Sequence, residues 1–287
     1  VEDPIFGGNQ LDYGSASGFR TRPNADNLNP IGSALFYFNG TDRHEILTSF
    51  NLNATILPGL TAESTFGAQY SNNLFKSISN QFYGTGASNE GDLFQSRRES
   101  ATINFLQLLR YRKEFGVNSF EILAAHESNY FQEDFNTAFK GKAIIPGADQ
   151  LDNYIVNLQQ PTGRAVSRTL DSYFAQLNYN YDSKYFFTAS VRRDGSSRFA
   201  NDKWGTFGSI GGSWVVSNED FLANNDFLNY LKVLASWGRT GDEVGVPFFT
   251  GINTFNVTNV GGEFAVAPSL FANPELTWET AQQYQAG

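Results

Sequence analysis

The feature that most constrains the fold is an alternation of apolar and polar residues between Ser172 and Phe199. The apolar set before a short polar break comprises Tyr173, Ala175, Leu177, Tyr179 and Tyr181, and the set after it comprises Tyr185, Phe187, Ala189 and Val191. Because successive side chains of a β-strand point to opposite faces, each set lies on one face of a strand. The break at Asp182-Ser183-Lys184 predicts a tight turn between antiparallel strands. The apolar face of this hairpin then meets either a protein core or membrane hydrocarbon.

Composition leaves both environments open. The chain has no run of 18 apolar residues and a mean hydropathy of −0.35, which excludes a transmembrane helix. Membrane β-strands are only mildly hydrophobic, because half of their side chains avoid lipid. Aromatic residues make up 15% of the chain, as is natural for strands with aromatic girdles at the membrane surface. The absence of Cys excludes disulfides and thiolate zinc sites, and the net charge of −9 argues against a nucleic-acid partner.

The same alternation recurs along the chain, with short and long connections in turn. Predicted strands occupy about 44–56, 60–70, 98–112, 118–131, 172–181, 185–191, 204–216, 230–240 and 277–286. Short turns are predicted at Leu57-Pro58-Gly59, Phe115-Gly116-Val117 and Asp182-Ser183-Lys184, and a helical turn with a capping box at Ser217 to Asp220. Long loops are predicted at 71–96, 132–169 and 241–273.

The predicted strand length separates the two environments. A tilted strand needs about 9 to 11 residues to cross a bilayer, whereas strands of soluble sandwiches are nearer five or six residues long. Most of the nine predicted strands are roughly 10 to 14 residues long, with long connections at one end only. We therefore predict an all-β fold that forms part of a large antiparallel transmembrane β-barrel.

Several segments, in their order along the chain, are recognisable. They are NPIGSALFYFNGTDRHEILTSFNLNATILPGLTAESTFGAQYS, SYFAQLNYNYDSKYFFTASVRRDGSSRF, KWGTFGSIGGSWVVSNEDFL, LNYLKVLASWGRTGD and NPELTWETAQQYQAG. Together they resemble the barrel strands of SusC/RagA-type TonB-dependent outer-membrane transporters. RRDGSSRF followed by WGTF is the most specific element, and the resemblance covers most of the chain from about Asn29 onward.

The resemblance implies a barrel of about 22 strands with a plug inside it. This chain offers about nine strands and no plug, and it begins Val-Glu-Asp-Pro without any Met, so we expect a piece of a longer chain. An open strand edge in lipid costs several kcal/mol per unpaired backbone group, so other strands must complete the barrel. Residues 1–287 are thus predicted as one barrel segment, with 1–43 mainly extracellular loop and 44–287 strands with long extracellular loops.

The function implied by the resemblance is TonB-dependent import of oligomeric nutrients, glycans or peptides, across the cell outer membrane. Its implied partners are a SusD-like lid lipoprotein, the TonB complex through parts outside this chain, and outer-membrane lipid and lipopolysaccharide. The short turns would be periplasmic and the long loops would face the lid. An enzyme is not expected. Two alternatives remain open, a passive porin-like barrel and a secreted carbohydrate-binding β-sandwich.

The candidate site residues are Arg192, Asp194 and Arg198 in the segment Arg192 to Arg198. One interpretation makes them a lumen or rim site for polar substrate, or a contact for lipopolysaccharide phosphates, because guanidinium groups suit such acceptors. The other makes them an ion-pair network at the barrel rim that closes the loop after the strand. The second is favoured, because a motif shared by transporters of different cargo serves architecture.

Other chemistry is sparse. His44 and His126 are far apart and lack metal-site spacing, and no nucleophile or phosphate-binding motif is present. Gly208, Gly211 and Gly212 lie in a strand pattern, which predicts close strand packing. The acid pairs Glu90/Asp92 and Asp242/Glu243 are expected to be solvated loop residues. The alternative is that they bind calcium or sugar hydroxyls. No cofactor is expected.

Overall fold

The computed structural model describes residues 30–82, 84–222 and 227–287, and most of these residues are in β-strands. The elements are α1 (Pro30–Phe36), β1 (Phe38–Leu57), β2 (Leu60–Ser79), β3 (Asp92–Phe115), β4 (Asn118–Ala143), β5 (Tyr154–Tyr181), β6 (Tyr185–Ser196), β7 (Trp204–Val215), β8 (Lys232–Asp242), β9 (Thr254–Val260), β10 (Glu263–Leu270) and β11 (Glu279–Ala286). Short 3-10 helices lie at Gly84–Asn89, Leu151–Asn153, Val216–Asn218 and Asp220–Leu222. Within these ranges, no helix combines the length and the apolar character needed to cross a membrane.

Nine strands form one sheet in the order β1-β2-β3-β4-β5-β6-β7-β8-β11, and β9 and β10 form a separate hairpin. Neighbours in the large sheet are adjacent in sequence except for β8 and β11, and the pairs from β5 onward are antiparallel. These nine strands are the nine that the alternation predicts. The all-β fold and the partial barrel are therefore confirmed, and a sandwich of two stacked sheets is not what these residues form.

The predicted long loops are wrong in extent, because β2, β3, β4 and β5 continue through much of them. β5 has 28 residues and β4 has 26, so most of 132–169 is strand. A strand is held by backbone hydrogen bonds to its neighbours and needs no apolar face where both faces meet polar surroundings. Prediction from apolar alternation misses such polar strands. The loop predicted at 241–273 likewise contains the β9–β10 hairpin.

The short connections lie where they were predicted. Gly59 has φ +84°, and Asp182 and Ser183 both have φ +54°, the left-handed backbone that two-residue hairpin turns require. The turn at Ser217 is helical, but the predicted capping box is wrong. Ser217 lies inside the 3-10 helix Val216–Asn218, and its buried hydroxyl has no hydrogen-bond partner in the described chain.

The chain divides into two compact units, and the first comprises the described part of 1–46 with 70–101 and 133–165. Its core consists of Ile78, Leu93 and Tyr154, with Ala143 and Leu151 packed against them. The Tyr154 hydroxyl donates to the carbonyl of Ala148 at 2.9 Å, so its buried ring keeps a polar partner. The assignment of 1–43 as mainly extracellular loop stays a prediction. Residues 1–29 lie outside the described residues, and α1 and the start of β1 occupy the rest.

The second unit comprises 47–69, 102–132 and 166–287 and carries an apolar sheet face that is exposed. Leu177 on β5 pairs with Ala189 on β6, so the apolar sets of the two strands share this face, as the predicted hairpin requires. Val191, Ile210 and Val233 on the same face are 50%, 47% and 49% exposed. Exposed apolar side chains in rows across a sheet indicate contact with a nonaqueous partner rather than with a protein core.

Two aromatic bands bound this apolar face. Near the short turns, the ring centroids of Tyr181 and Tyr185 lie 6.1 Å apart, and those of Tyr185 and Trp214 lie 6.2 Å apart. At the other end, the rings of Tyr173 and Trp204 lie 6.1 Å apart. Tyr173 and Tyr181 are separated by about 26 Å along β5 at ~3.3 Å per residue. The nine residues from Tyr173 to Tyr181 agree with the ~9 to 11 residues that a tilted strand needs to cross a bilayer, and aromatic girdles flank the apolar band of transmembrane barrels.

The two faces predict different responses to a buried charge. We expect Leu177→Arg or Ala189→Arg to lower the free energy of unfolding of the full-length protein by about 2 to 4 kcal/mol, because the guanidinium would enter hydrocarbon. Asn178→Arg on the opposite face should cost much less. Urea titrations in lipid vesicles, followed by tryptophan fluorescence, measure both values. Equal losses at the two faces would refute their assignment.

Candidate functional site

A chain of ion pairs crosses three strands on the polar face of the second unit, and a hydrogen bond extends it to a fourth. Glu63 on β2 accepts from Arg110 Nε on β3 at 3.0 Å, and Arg110 Nη1 lies 3.3 Å from Glu121 Oε1 on β4. Arg112 Nε donates to Glu121 Oε2 at 3.1 Å, and Asn178 Nδ2 on β5 donates to Glu121 Oε1 at 3.4 Å. This face is therefore hydrophilic and carries both charge signs.

Arg192 is the centre of a second polar group, which joins β4, β5 and β6. Its Nε donates to Asp194 Oδ1 at 2.6 Å, and its Nη2 donates to Glu127 Oε2 at 3.0 Å and to Ser172 Oγ at 2.9 Å. The guanidinium also lies 5.1 Å from the ring centroid of Phe174. Asp194 and Ser172 are buried, whereas the side chains of Arg192 and Glu127 are 38% and 37% exposed, so the cluster is only partly closed to solvent. These contacts hold three neighbouring strands together.

Arg198 belongs to a different group, which holds the segment after β8. Its Nη1 donates to the carbonyls of Glu243 and Val246 at 2.9 and 2.7 Å. Its guanidinium carbon lies 4.7 Å from the ring centroid of Phe248, which stacks on Phe131 at 6.2 Å. Arg198 therefore fixes the loop 243–248 against β4.

Arg168 and Glu243 form a pair that the sequence did not reveal as a site. Arg168 Nη1 donates to Glu243 Oε1 at 3.1 Å, and Arg168 Nη2 donates to Asn129 Oδ1. Three buried atoms of this neighbourhood, Arg168 Nε, Arg198 Nε and Glu243 Oε2, have no hydrogen-bond partner within the described ranges. Buried polar atoms are normally hydrogen-bonded to protein or to ordered water, so these three atoms are free to bind water or a polar ligand.

The structure thus divides the three predicted site residues. Arg192 and Asp194 are in direct contact, whereas Arg198 contacts the loop after β8 and neither of them. Sequence reasoning missed Glu127 and Arg168 entirely. Alternation places Glu127 on the polar face of its predicted strand, whereas Arg168 falls in the segment predicted as a loop. The register between strands brings Glu127 to Arg192, and the path of the loop after β8 brings Glu243 to Arg168.

A third group of charged and aromatic side chains lies in the first unit. The guanidinium carbons of Arg98 and Arg164 lie 5.1 and 5.6 Å from the ring centroid of Phe135. Arg98 Nη1 also pairs with Glu133 Oε2 at 3.3 Å. An aromatic ring flanked by two cations offers stacking surface together with donors for oxygen-rich ligands.

The remaining candidates have protein partners. Asp92 accepts from Asn89 Nδ2 at 2.7 Å, and Asp242 accepts from the backbone N–H of Val244 at 2.8 Å. No group of three potential metal ligands is assembled in the part of the chain that the structure describes, and calcium binding stays a prediction. A Cβ at Gly208 would lie 2.6 Å from the Ser190 carbonyl oxygen, which confirms the close strand packing predicted there.

The exposed apolar face, the polar face behind it and the two aromatic bands define strands of an outer-membrane β-barrel. The sequence model of the family described as TonB dependent receptor-like, beta-barrel matches residues 2–287, and the chain belongs to this family. This membership confirms the predicted resemblance to SusC/RagA-type transporters and the outer-membrane location.

Individual relatives agree with this assignment. The chain is 28% identical over 247 residues to the TonB-dependent receptor SusC of Bacteroides thetaiotaomicron, an alignment that covers 80% of this chain and 23% of that protein. It is 31% identical over 268 residues to the TonB-dependent receptor P39 of Formosa agariphila, covering 89% and 25% respectively. The chain spans about a quarter of the length of these relatives. They are receptors rather than enzymes, in agreement with the prediction.

A solved structure of the RagAB peptide transporter has the same fold. It superposes with a TM-score of 0.82 at 21% sequence identity, and the match covers 90% of this chain and 29% of that one. Nearly the whole chain therefore corresponds to part of a larger barrel.

The Arg192 group predicts a large effect of removing one charge. Arg192→Met should lower the free energy of unfolding by about 2 to 3 kcal/mol, because the carboxylate of Asp194 would be left buried without its partner. Arg112→Met removes a cation that is 64% exposed, and Glu121 keeps Arg110 as its partner, so this change should cost less than about 1 kcal/mol. Urea titration of the full-length protein in lipid vesicles compares them. Equal costs would contradict the structural role of Arg192.

An ion pair at the loop before β5 should make the stability of the folded protein depend on pH. Lys76 Nζ lies 2.7 Å from Asp149 Oδ2, and this hydrogen bond, with one from Gln150, holds the pKa of Asp149 below its ordinary 3.8. A lowered folded-state pKa contributes stability that is present above the ordinary pKa and is lost as the pH falls through the lowered value. Carboxyl ¹³C NMR should show the pKa of Asp149 rising in Lys76→Gln. It should not rise in Lys142→Gln, whose Nζ lies 3.8 Å from Glu90; no rise in Lys76→Gln would refute the contact.

Proposed function

We propose that the protein takes part in TonB-dependent active import of oligomeric nutrients, glycans or peptides, across the outer membrane. Family membership over residues 2–287 is the observation that carries this proposal. SusC is named a TonB-dependent receptor and RagAB a peptide transporter, and this chain shares its sequence pattern with the first and its fold with the second. The full-length protein would couple cargo entry to the inner-membrane proton gradient through TonB.

The polar face supports a path for hydrophilic cargo. Its charges are neutralised in pairs such as Arg110 with Glu63 and Arg192 with Glu127, so it offers hydrogen-bonding groups without a large field of one sign. In transmembrane barrels the polar face lines the lumen and the apolar face meets lipid. Oligomers rich in hydroxyl or amide groups would replace water on such a surface.

Two groups of side chains are proposed as cargo contacts. The first is Arg168 with Glu243, whose unpartnered buried atoms include a donor, Arg168 Nε, and an acceptor, Glu243 Oε2. The second is the ring of Phe135 with Arg98 and Arg164 beside it. Rings flanked by guanidinium groups suit both sugars and peptide side chains, so these groups support oligomeric cargo without selecting one class.

A SusD-like lid lipoprotein is the proposed partner. β5 needs only the residues from Tyr173 to Tyr181 to cross the apolar band, yet it begins at Tyr154. β4 likewise continues to Ala143. Strand length beyond that required by a bilayer, with a small core of its own around Tyr154, supports a rigid platform for a second protein.

The proposal is distinguished from a passive porin by its need for energy. Cells that carry the full-length protein should take up fluorescent oligopeptides or oligosaccharides, and a protonophore should abolish that uptake. A deletion strain serves as the control for uptake by other routes. Uptake that persists without the proton gradient would favour the passive barrel, and failure to take up either class would refute nutrient import.

A further inference from the structure

A groove of about 660 Å³ lies in the second unit and runs over the apolar sheet face. Its lining residues come from β1 to β5 and are mostly apolar, and they include Leu52, Ala62, Leu109, Ala124, His126 and Tyr173. The alanines on β2 and β4 leave the space that larger side chains would fill. A groove on a lipid-facing surface is shaped for a flexible apolar chain.

Two residues of the groove, His126 and Tyr173, also belong to a row of side chains that we name the ledge: His126, Tyr173, Arg193 and Trp204, on β4, β5, β6 and β7. The rings of His126 and Tyr173 stack at 4.7 Å between centroids, and those of Tyr173 and Trp204 lie 6.1 Å apart. The guanidinium carbon of Arg193 lies 5.5 Å from the Trp204 ring centroid. The ledge therefore presents a cation among aromatic rings beside an apolar groove.

Gly195 makes the ledge possible. Gly195 pairs directly with Trp204 across β6 and β7, and a Cβ at this position would lie 2.8 Å from the indole ring. The indole thus lies over the backbone of Gly195, which brings it beside Arg193. This contact explains why a glycine follows Arg193 and Asp194 at the position that pairs with Trp204.

The cations of this surface have no acid partner. Arg193 and Arg239 form no ion pair with any carboxylate in the described ranges. The register between strands places both arginines on the apolar face. Arg193 on β6 pairs with Thr206 on β7, and Arg239 on β8 pairs with Gly208, which is the next residue of β7 on the same face as Thr206. The acid that contacts the ledge, Asp171, is bonded to His126 Nε2 at 2.7 Å. By contrast, Arg110, Arg168 and Arg192 on the polar face all have carboxylate partners.

We infer that the groove and the ledge bind a phosphorylated lipid of the outer leaflet, with an acyl chain in the groove and a headgroup phosphate on Arg193. Guanidinium groups donate two parallel hydrogen bonds to phosphate oxygens, and Arg239 supplies a second cation on the same face. The ledge lies at the end of the strands away from the short turns, which is the outer end in bacterial barrels. Lipopolysaccharide carries both chemical parts in one molecule.

Native mass spectrometry of the full-length protein, extracted from outer membranes in mild detergent, measures lipopolysaccharide retained per barrel. A cation near an anionic lipid surface contributes ~1 kcal/mol to binding, so Arg193→Gln should reduce retention about fivefold. The double variant that also carries Arg239→Gln should reduce retention further. Ala124→Phe, which fills the groove, should also reduce retention. Lys232→Gln is the matched charge control, because Lys232 contacts the ring of Phe186 on the other face, and Ala189→Phe is the control for added bulk.

A second measurement uses only the unmodified protein. Its tryptophan fluorescence is titrated with lipopolysaccharide and with the same lipid after enzymatic removal of its phosphates, and only the phosphorylated form should bind tightly. Equal binding of the two forms would overturn the phosphate assignment, and equal retention by Arg193→Gln and Lys232→Gln would overturn the role of Arg193. Retention of ordinary phospholipid in place of lipopolysaccharide would overturn the proposed occupant.

Discussion

The structure depends on one constraint, that a sheet with hydrocarbon on one face must satisfy its backbone groups between strands. Water cannot replace a missing hydrogen bond there, so strands pair along their whole crossing length. Val191, Ile210 and Val233 can then stay exposed to lipid, because burial in a protein core is not what stabilises them. The aromatic bands around Tyr173 and Tyr185 mark the two levels at which this surrounding changes from apolar to polar.

The same constraint determines where charged side chains lie and which of them are paired. On the polar face arginines are neutralised by acids from neighbouring strands, as Arg110 is by Glu63 and Arg192 by Glu127 and Asp194. On the apolar face the cations occur at the aromatic band, where Arg193 lies beside Trp204. A cation near the membrane surface can extend toward headgroups, and an acid placed beside it would compete with lipid phosphates for the guanidinium.

The segment Arg192 to Arg198 shows how closely spaced residues serve different surroundings. Arg192 and Asp194 lie in the cluster on the polar face, Arg193 lies on the apolar face, and Gly195 leaves room for Trp204. Arg198 lies beyond the strand and holds the loop 243–248. Each role needs a particular side chain at a fixed offset from the strand end, which accounts for a dense motif without any catalytic chemistry.

The sequence alone determined the nine strands, their short turns and the membrane-facing side of each hairpin, because alternation with a period of two is local and lipid selects it directly. It could not give the lengths of β4 and β5, since polar strands lack that alternation and depend on hydrogen bonds to partners distant in sequence. Nor could it bring Glu127 to Arg192, Arg168 to Glu243, or Tyr173 to Trp204. Those contacts were decided by the tertiary structure, because inter-strand register and, for Glu243, the path of the loop after β8 determine which side chains become neighbours.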